Sequence, residues 1–320
     1  MTLDPSTPPP SSPQPIRTFL DLIKFAHSIF ALPFALVAAT MALRANPPAG
    51  LNPILIQLAL ILICMVSART YALTVNRLLD RHLDARNPRT ARRPSVTGAV
   101  RPGFMIAALV SAAAAFSTAT AAFWLLFDNP WPLILALPVL IWMGGYSLTK
   151  RFTWLCHFWL GISLGSAPLA AWIALAPSLS HRLVLVWPVV WLGLAVVFWV
   201  SGFDILYALQ DEVIDRAEGL HSIPAKWGRT GALWLSRCCH LLAASALLAV
   251  GLSQTATELL PHPPGLLYWL GTVLATGLLI VEQSLVSPRN ISRINLAFMT
   301  INGIVGVAYG TLAIIDLLIR

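Results

Sequence analysis

The sequence predicts an all-α membrane protein with about nine transmembrane helices, and three observations predict it. Of its 320 residues, 57% are hydrophobic and 11% charged, whereas a soluble globular domain carries about 25% charged residues. Apolar runs of about twenty residues, the length at which a helix crosses a bilayer, recur along the whole chain. Basic residues alternate in phase with those runs, as they do in a chain threaded repeatedly through a membrane. The mean hydropathy of +0.75 excludes a soluble two-domain enzyme.

The first 15 residues, "MTLDPSTPPPSSPQP", are rich in Pro and Ser and lack the charge and cleavage pattern of a removed signal peptide. They predict a disordered tail over 1–16, followed by one membrane domain over 17–320. Nine spans are drawn over 18–43, 52–80, 103–126, 131–147, 154–175, 183–211, 231–252, 265–286 and 292–318. The connections after the first, third, fifth and seventh spans are "RANPPAG", "DNPW", "PSLSHR" and "SQTATELLPHPP", with Arg44 and Arg182 as their basic residues. The remaining connections carry Arg77, Arg81, Arg86, Arg89, Arg92, Arg93, Arg101, Lys150, Arg151, Arg216, Lys226, Arg229, Arg289 and Arg293. By the positive-inside rule these even-numbered connections and the N-terminus face the cytoplasm, in the cell's inner membrane, and nine spans leave the C-terminus outside. The same rule accounts for the net charge of +8 without a nucleic-acid partner. Cys64, Cys156, Cys238 and Cys239 lie in or beside apolar runs without CxxC spacing, and read as buried free thiols.

Two acidic clusters stand at cytoplasmic ends of spans. At the end of the second, Asn76, Asp80 and Asp84 follow a spacing of four, which puts them on one helical stripe about 6 Å apart. At the end of the sixth, "GFDILYALQDEVIDRAEG" holds Asp204, Tyr207, Asp211, Glu212 and Asp215. There Asp204, Asp211 and Asp215 share a face at spacings of seven and four. Taken alone, the second cluster reads equally as a solvated helix end, whereas the first reads more readily as a site than as a capped helix end. Asp204 follows a long apolar run, and an ionisable group at depth costs about 2.5–3.5 kcal/mol on insertion scales. Four carboxylates converging on one cytoplasmic-side cavity would have to protonate unless cations neutralised them. Mg²⁺, a hard cation bound through carboxylates and substrate phosphates, fits that need, with nearby basic groups binding the remaining phosphate oxygens.

"NRLLDRHLD" resembles the NxxxDxxxD motif, and "DEVID" the DxxxD motif, of the UbiA superfamily of intramembrane prenyltransferases. The resemblance extends through "ARNPRTARRPSVTGAV" and "YSLTKRFTWLCHFWLGISLGSAPLAAW", and covers about residues 17–318. It implies a helical bundle around a central cavity open to the cytoplasmic side. It also implies Mg²⁺-dependent transfer of a polyprenyl group from polyprenyl diphosphate to an aromatic acid acceptor, in ubiquinone or menaquinone biosynthesis. Asn76, Asp80, Asp84, Asp211 and Asp215 would hold two Mg²⁺ ions. Lys150 and Arg93 would contact the diphosphate, joined by Arg92, which stands where the family usually has Asn. Arg69 would lie near the acceptor, and Tyr146 and Tyr207 would line the cavity near the breaking bond. Arg77, Arg81, Arg86 and Arg89 are expected to set topology and solvate the loop.

"FAHSIFALPFAL" and "GLHSIPAKWG", with His27 and His221, are similar to the 4-hydroxybenzoate polyprenyltransferase-like branch found with the futalosine route to menaquinone. The resemblance therefore implies 4-hydroxybenzoate as acceptor, with 1,4-dihydroxy-6-naphthoate as the alternative, and haem or glycerol-phosphate prenylation beyond it. A cation-coupled transporter would also place acids in spans, although at the bilayer midplane rather than at one edge. A structural scaffold leaves Asp204 and the paired motifs without a role.

Overall fold

The computed structural model describes residues 18, 30–48, 50–179, 183–256 and 262–320. The 1–16 tail and His27 lie outside these residues. The described chain is built from helices α1 (Leu32–Ala45), α2 (Leu51–Leu79), α3 (Arg81–Arg86), α4 (Pro94–Thr97), α5 (Pro102–Phe127) and α6 (Trp131–Thr149). They continue as α7 (Cys156–Leu175), α8 (Leu183–Ala208), α9 (Glu212–Ala217), α10 (Ile223–Ala256), α11 (Leu266–Ser284) and α12 (Asn302–Ile319). A π-helical turn over Leu296–Ile301 leads into α12. Eight of these segments are long and apolar enough to cross a membrane, and α1 supplies a shorter apolar helix in the first predicted span. Each of the nine predicted spans therefore contains an apolar helix. This is an integral membrane protein.

The helices close into a bundle through sequential neighbours. Helix α2 packs on α5 and α6, α7 on α8, α8 on α10, and α11 on α12, while α1 fits between α7 and α12. Tertiary packing, rather than hydropathy alone, buries Trp172, Leu192, Trp199, Tyr268 and Tyr309 in one core. Leu55, Leu125, Leu137, Leu241 and Val273 remain exposed on the outer wall, where hydrocarbon rather than water is their partner. Helices α7 and α8 approach at glycine: a Cβ on Gly165 would lie 2.6 Å from the Gly193 carbonyl oxygen. Small residues allow such contact between helix backbones in a membrane.

Seventh-span residues begin their helix at Ile223, eight residues earlier than expected. The first turn is set apart by Gly228, whose φ of 66° breaks the helix before the membrane run begins. Its Lys226 lies over the rings of Trp154 and Trp227, an anchoring arrangement for a helix entering the polar interface.

The connections segregate by face. On one face, Asn46 donates to the Leu175 carbonyl and Asn129 to those of Ile173 and Ala174, tying two connections to the end of α7 through neutral groups. On the other, the basic connections meet: Arg151 donates to the Leu79 carbonyl, Arg89 pairs with Asp211, and Arg229 donates to the Pro288 carbonyl. The acidic motifs lie on this basic face.

Candidate active site

Helix α2 ends at Asp80, whose φ and ψ of −92° and 4° interrupt the regular helix. The six-residue α3 then begins. The second motif repeats the device: α8 ends at Ala208, Asp211 takes φ −102° and ψ 0°, and the six-residue α9 follows. The continuous helical faces expected through Asp84 and through Asp215 are therefore broken. Within each motif the spacing of four survives, because Asp84 N–H donates to the Asp80 carbonyl and Asp215 N–H to the Asp211 carbonyl. Asp204 is separated from this register. It lies inside α8 and accepts a 2.7 Å hydrogen bond from His157 Nδ1. Because His157 Nε2 accepts the Ile223 N–H, the imidazole proton resides on Nδ1.

Asp80 and Asp84 are buried, Asp211, Glu212 and Asp215 are half-buried, and all but Asp215 pair with cations. Asp80, 2% exposed, accepts from Asn76 Nδ2 at 2.8 Å. It also lies 3.1 Å from Lys150 Nζ and 3.2 Å from Arg151 Nη2. Both oxygens of Asp84 accept from Arg93 Nη1, at 2.7 and 2.8 Å. Asp211 is held across the bundle by Asn87 Nδ2 at 2.8 Å and by both Nε and Nη2 of Arg89, a bidentate pair. Arg89 also donates to the Tyr207 hydroxyl at 3.2 Å and lies over its ring. Glu212 pairs with Arg216 and Arg229, each at 3.1 Å. Asp215 is hydrogen-bonded to Ser222; burial first, then the neighbouring Asp211 charge, raises its pKa.

These contacts bring the two motifs together through the 87–93 loop. They also change the expected division among the arginines. Arg77 is 8% exposed and donates to Asn76 Oδ1, Arg86 reaches Glu218, and Arg89 clamps Asp211. Arg77 and Arg89 are thus held in the site, while Arg86 is paired but largely exposed. Arg92 is exposed on the loop, Arg69 is half-buried about two turns before Asn76 in α2, and Tyr146 lies one turn before Lys150 on α6. His221 is exposed, with its backbone N–H donating to the Lys150 carbonyl at 2.6 Å. Sequence reading did not single out Asn87, Arg151 or His157. A lone histidine in an apolar span was a usable signal for the last, since a buried imidazole needs partners.

Asn76, Asp80, Asp84, Asp211 and Asp215 offer oxygen donors to a metal, the chemistry of a hard divalent cation. Among the described residues, no three Asp, Glu, His or Cys side chains gather closely enough to hold an ion. Lys150, Arg93 and Arg89 now supply the positive charge at three of the acids. The donor set suits an ion that completes its coordination with oxygens of an anionic ligand, as Mg²⁺ commonly does.

The UbiA prenyltransferase family model matches residues 31–304. The chain belongs to the UbiA prenyltransferase family. It is 27% identical over 271 residues to a 4-hydroxybenzoate octaprenyltransferase of Nitrosospira multiformis, covering 80% of this chain and 81% of the relative. It is 30% identical over 229 residues to a 4-hydroxybenzoate solanesyltransferase of Synechocystis, covering 69% and 70% respectively. Its fold matches the apo structure of a UbiA homologue from Aeropyrum pernix K1 with a TM-score of 0.76 and 31% identity, over 91% of this chain and 98% of the other. A UbiA homologue from Archaeoglobus fulgidus bound to GPP and Mg²⁺ matches with a TM-score of 0.63, over 93% and 99%, and at 19% identity it bears on the fold alone. UbiA membership sets aside the transporter and scaffold readings.

Proposed function

We propose that this UbiA-family enzyme transfers a polyprenyl group from polyprenyl diphosphate to 4-hydroxybenzoate in quinone biosynthesis. The observation that carries this reading is the joining of two aspartate motifs on a basic membrane face by Asn87 and Arg89. A site with buried acids and several guanidinium groups suits a divalent cation and a diphosphate together. The names of the relatives support the acceptor. 1,4-Dihydroxy-6-naphthoate is the second acceptor to test, favoured by the branch segment that contains His221. The basic face is assigned to the cytoplasmic side of the inner membrane.

Asn76, Asp80, Asp84, Asp211 and Asp215 would hold Mg²⁺, which when bound neutralises the departing diphosphate as a Lewis acid. Lys150, Arg93 and Arg92 would donate to the diphosphate oxygens, orienting the allylic carbon toward the acceptor. The surrounding helices exclude water as the allylic C–O bond breaks, its electron pair leaving with the diphosphate. Tyr207 and Tyr146 present aromatic faces to the developing allylic cation. Arg69 would hold the acceptor carboxylate so that the ring carbon ortho to the phenol bonds to the allylic carbon and then loses its proton, which balances the released diphosphate.

The test is an assay of the full chain in bilayers with Mg²⁺, a polyprenyl diphosphate and either aromatic acid, read by product mass. Prenylated 4-hydroxybenzoate is the expected product. A product formed from the naphthoate alone overturns the acceptor, and no product with either overturns the activity.

A further inference from the structure

A second polar network lies wholly inside the bundle, and the reaction above makes no use of it. Glu282 on α11 and Asn302 at the start of α12 are both 0% exposed. Asn302 Nδ2 donates to Glu282 Oε1 at 2.9 Å, and Asn302 Oδ1 accepts from Trp199 Nε1 at 2.5 Å. The same amide also reaches the carbonyls of Ala297 and Phe298, at 3.2 and 3.3 Å. Those carbonyls belong to the π-helical turn over Leu296–Ile301. A π turn is a rare, widened geometry that loosens the regular backbone ladder, and it recurs at functional sites. Here a side-chain amide from the following helix supports it from within.

What the turn presents is Phe298. Its ring packs on Tyr207 at 4.2 Å between centroids and 30° between planes. It also meets Phe203 edge-on at 5.4 Å. Tyr207 in turn accepts from Arg89, the residue that clamps Asp211. A chain of direct contacts thus runs from Glu282 through Asn302, Phe298 and Tyr207 to the acidic motif. Phe298 itself is only half-buried, and its ring lies against the Tyr207 whose hydroxyl meets Arg89, beside the second acidic motif. The isoprenoid chain of the donor is the apolar ligand that such a face suits.

We propose that Asn302, fixed by Glu282 and Trp199, is a positioning residue for the prenyl donor. It locks the π turn, and the locked turn holds the Phe298 ring against Tyr207 where the first isoprene units of the donor pass. The inference rests on the prenyl-transfer reading. To Asn302, Glu282 supplies only an acceptor oxygen, its other oxygen lying 3.9 Å from His240 Nδ1, so a glutamine in its place preserves this function, while an aliphatic residue leaves the Asn302 amide without its nearest partner.

The test is steady-state kinetics of the full chain in bilayers with Mg²⁺, varying the polyprenyl diphosphate and the aromatic acid separately. Asn302→Ala and Phe298→Ala are each expected to raise the donor KM about tenfold and to leave the acceptor KM within about twofold. The double variant is expected to be no worse than Phe298→Ala, because both changes remove one effect. Glu282→Gln is expected to keep the wild-type donor KM and Glu282→Leu to raise it, which tests the proposal even where Asn302→Ala fails to insert. A donor KM unmoved in Asn302→Ala and Glu282→Leu, or multiplying effects in the double variant, overturns this inference while wild-type turnover stands. A wild type without turnover overturns the prenyl-transfer reading and this inference with it.

Discussion

The two acidic motifs are built on the same backbone device and neutralised in different ways. Each places its first aspartate at a break where a long helix ends, and its second within a six-residue helix. The first motif draws cations from two directions: Lys150 and Arg151 at the end of α6 reach Asp80, and Arg93 from its own loop reaches Asp84. The second motif borrows its main cation. Asp211 is held by Asn87 and Arg89, which belong to the loop that follows the first motif. Asp215 relies on Ser222, and its pKa is raised. The halves share a geometry, then, but the second depends on the first for charge.

The strongest way to break that comparison is to remove one acid from each half. Asp80→Asn and Asp211→Asn are each expected to lower kcat/KM for prenyl transfer by about 10³-fold, because preorganised charge at a leaving group is typically the largest catalytic contribution. A half that tolerates its substitution would be dispensable for metal binding, and the paired-motif site would be wrong. Arg89→Ala comes next. It strips the bidentate partner from Asp211 while sparing the first motif, so the donor KM should rise about tenfold. Arg89→Lys should recover little of this, since an ammonium cannot reproduce the two-pronged contact.

Asp215 sharpens the comparison through pH. Its folded pKa lies above the ordinary value of 3.8, because burial and then Asp211 disfavour its ionised form. The folded chain thus keeps that proton to higher pH than the unfolded chain, and stability is lost as pH rises through the folded pKa. In Mg²⁺-free buffer at pH 7.5, Asp215→Asn should therefore melt above wild type, by about 1–2 °C. The gain should shrink as pH falls and vanish well below 3.8, where the Asp215 carboxyl is neutral both folded and unfolded. A variant that melts below wild type at pH 7.5 would show that the Ser222 contact outweighs burial.

Much of the fold is legible in the sequence. Apolar runs and alternating charge specify spans because hydrocarbon tolerates neither open backbone nor unpaired charge. Asn76, Asp80, Asp84, Asp211 and Asp215 stand out in the sequence because a spacing of four puts side chains on one helical stripe. The break at Asp80 was not legible, since local propensity does not report a helix that ends while its hydrogen-bond register continues. Partner choice was equally hidden. From the sequence, Arg89 is expected to solvate the loop and Arg92 to face the diphosphate; folding turns Arg89 onto Asp211 and leaves Arg92 exposed. The contacts of Asn302 run to Trp199, 103 residues away, and no periodicity encodes them.

The smallest expected effect isolates what Arg89 contributes. Arg86 and Glu218 also tie the two halves together, through Nη1 and Oε2 at 2.6 Å, but the arginine side chain is 65% exposed. An ion pair so placed gains little over hydration and is screened by salt, so Arg86→Ala should cost under about 1 kcal/mol of stability. Turnover should stay within about twofold of wild type. Arg89 spans the same two segments with its side chain 30% exposed, and ends on Asp211 rather than on a rim glutamate. If the tie alone mattered, Arg86→Ala and Arg89→Ala would impair prenyl transfer alike. A large effect confined to Arg89 instead assigns its role to the charge held at Asp211.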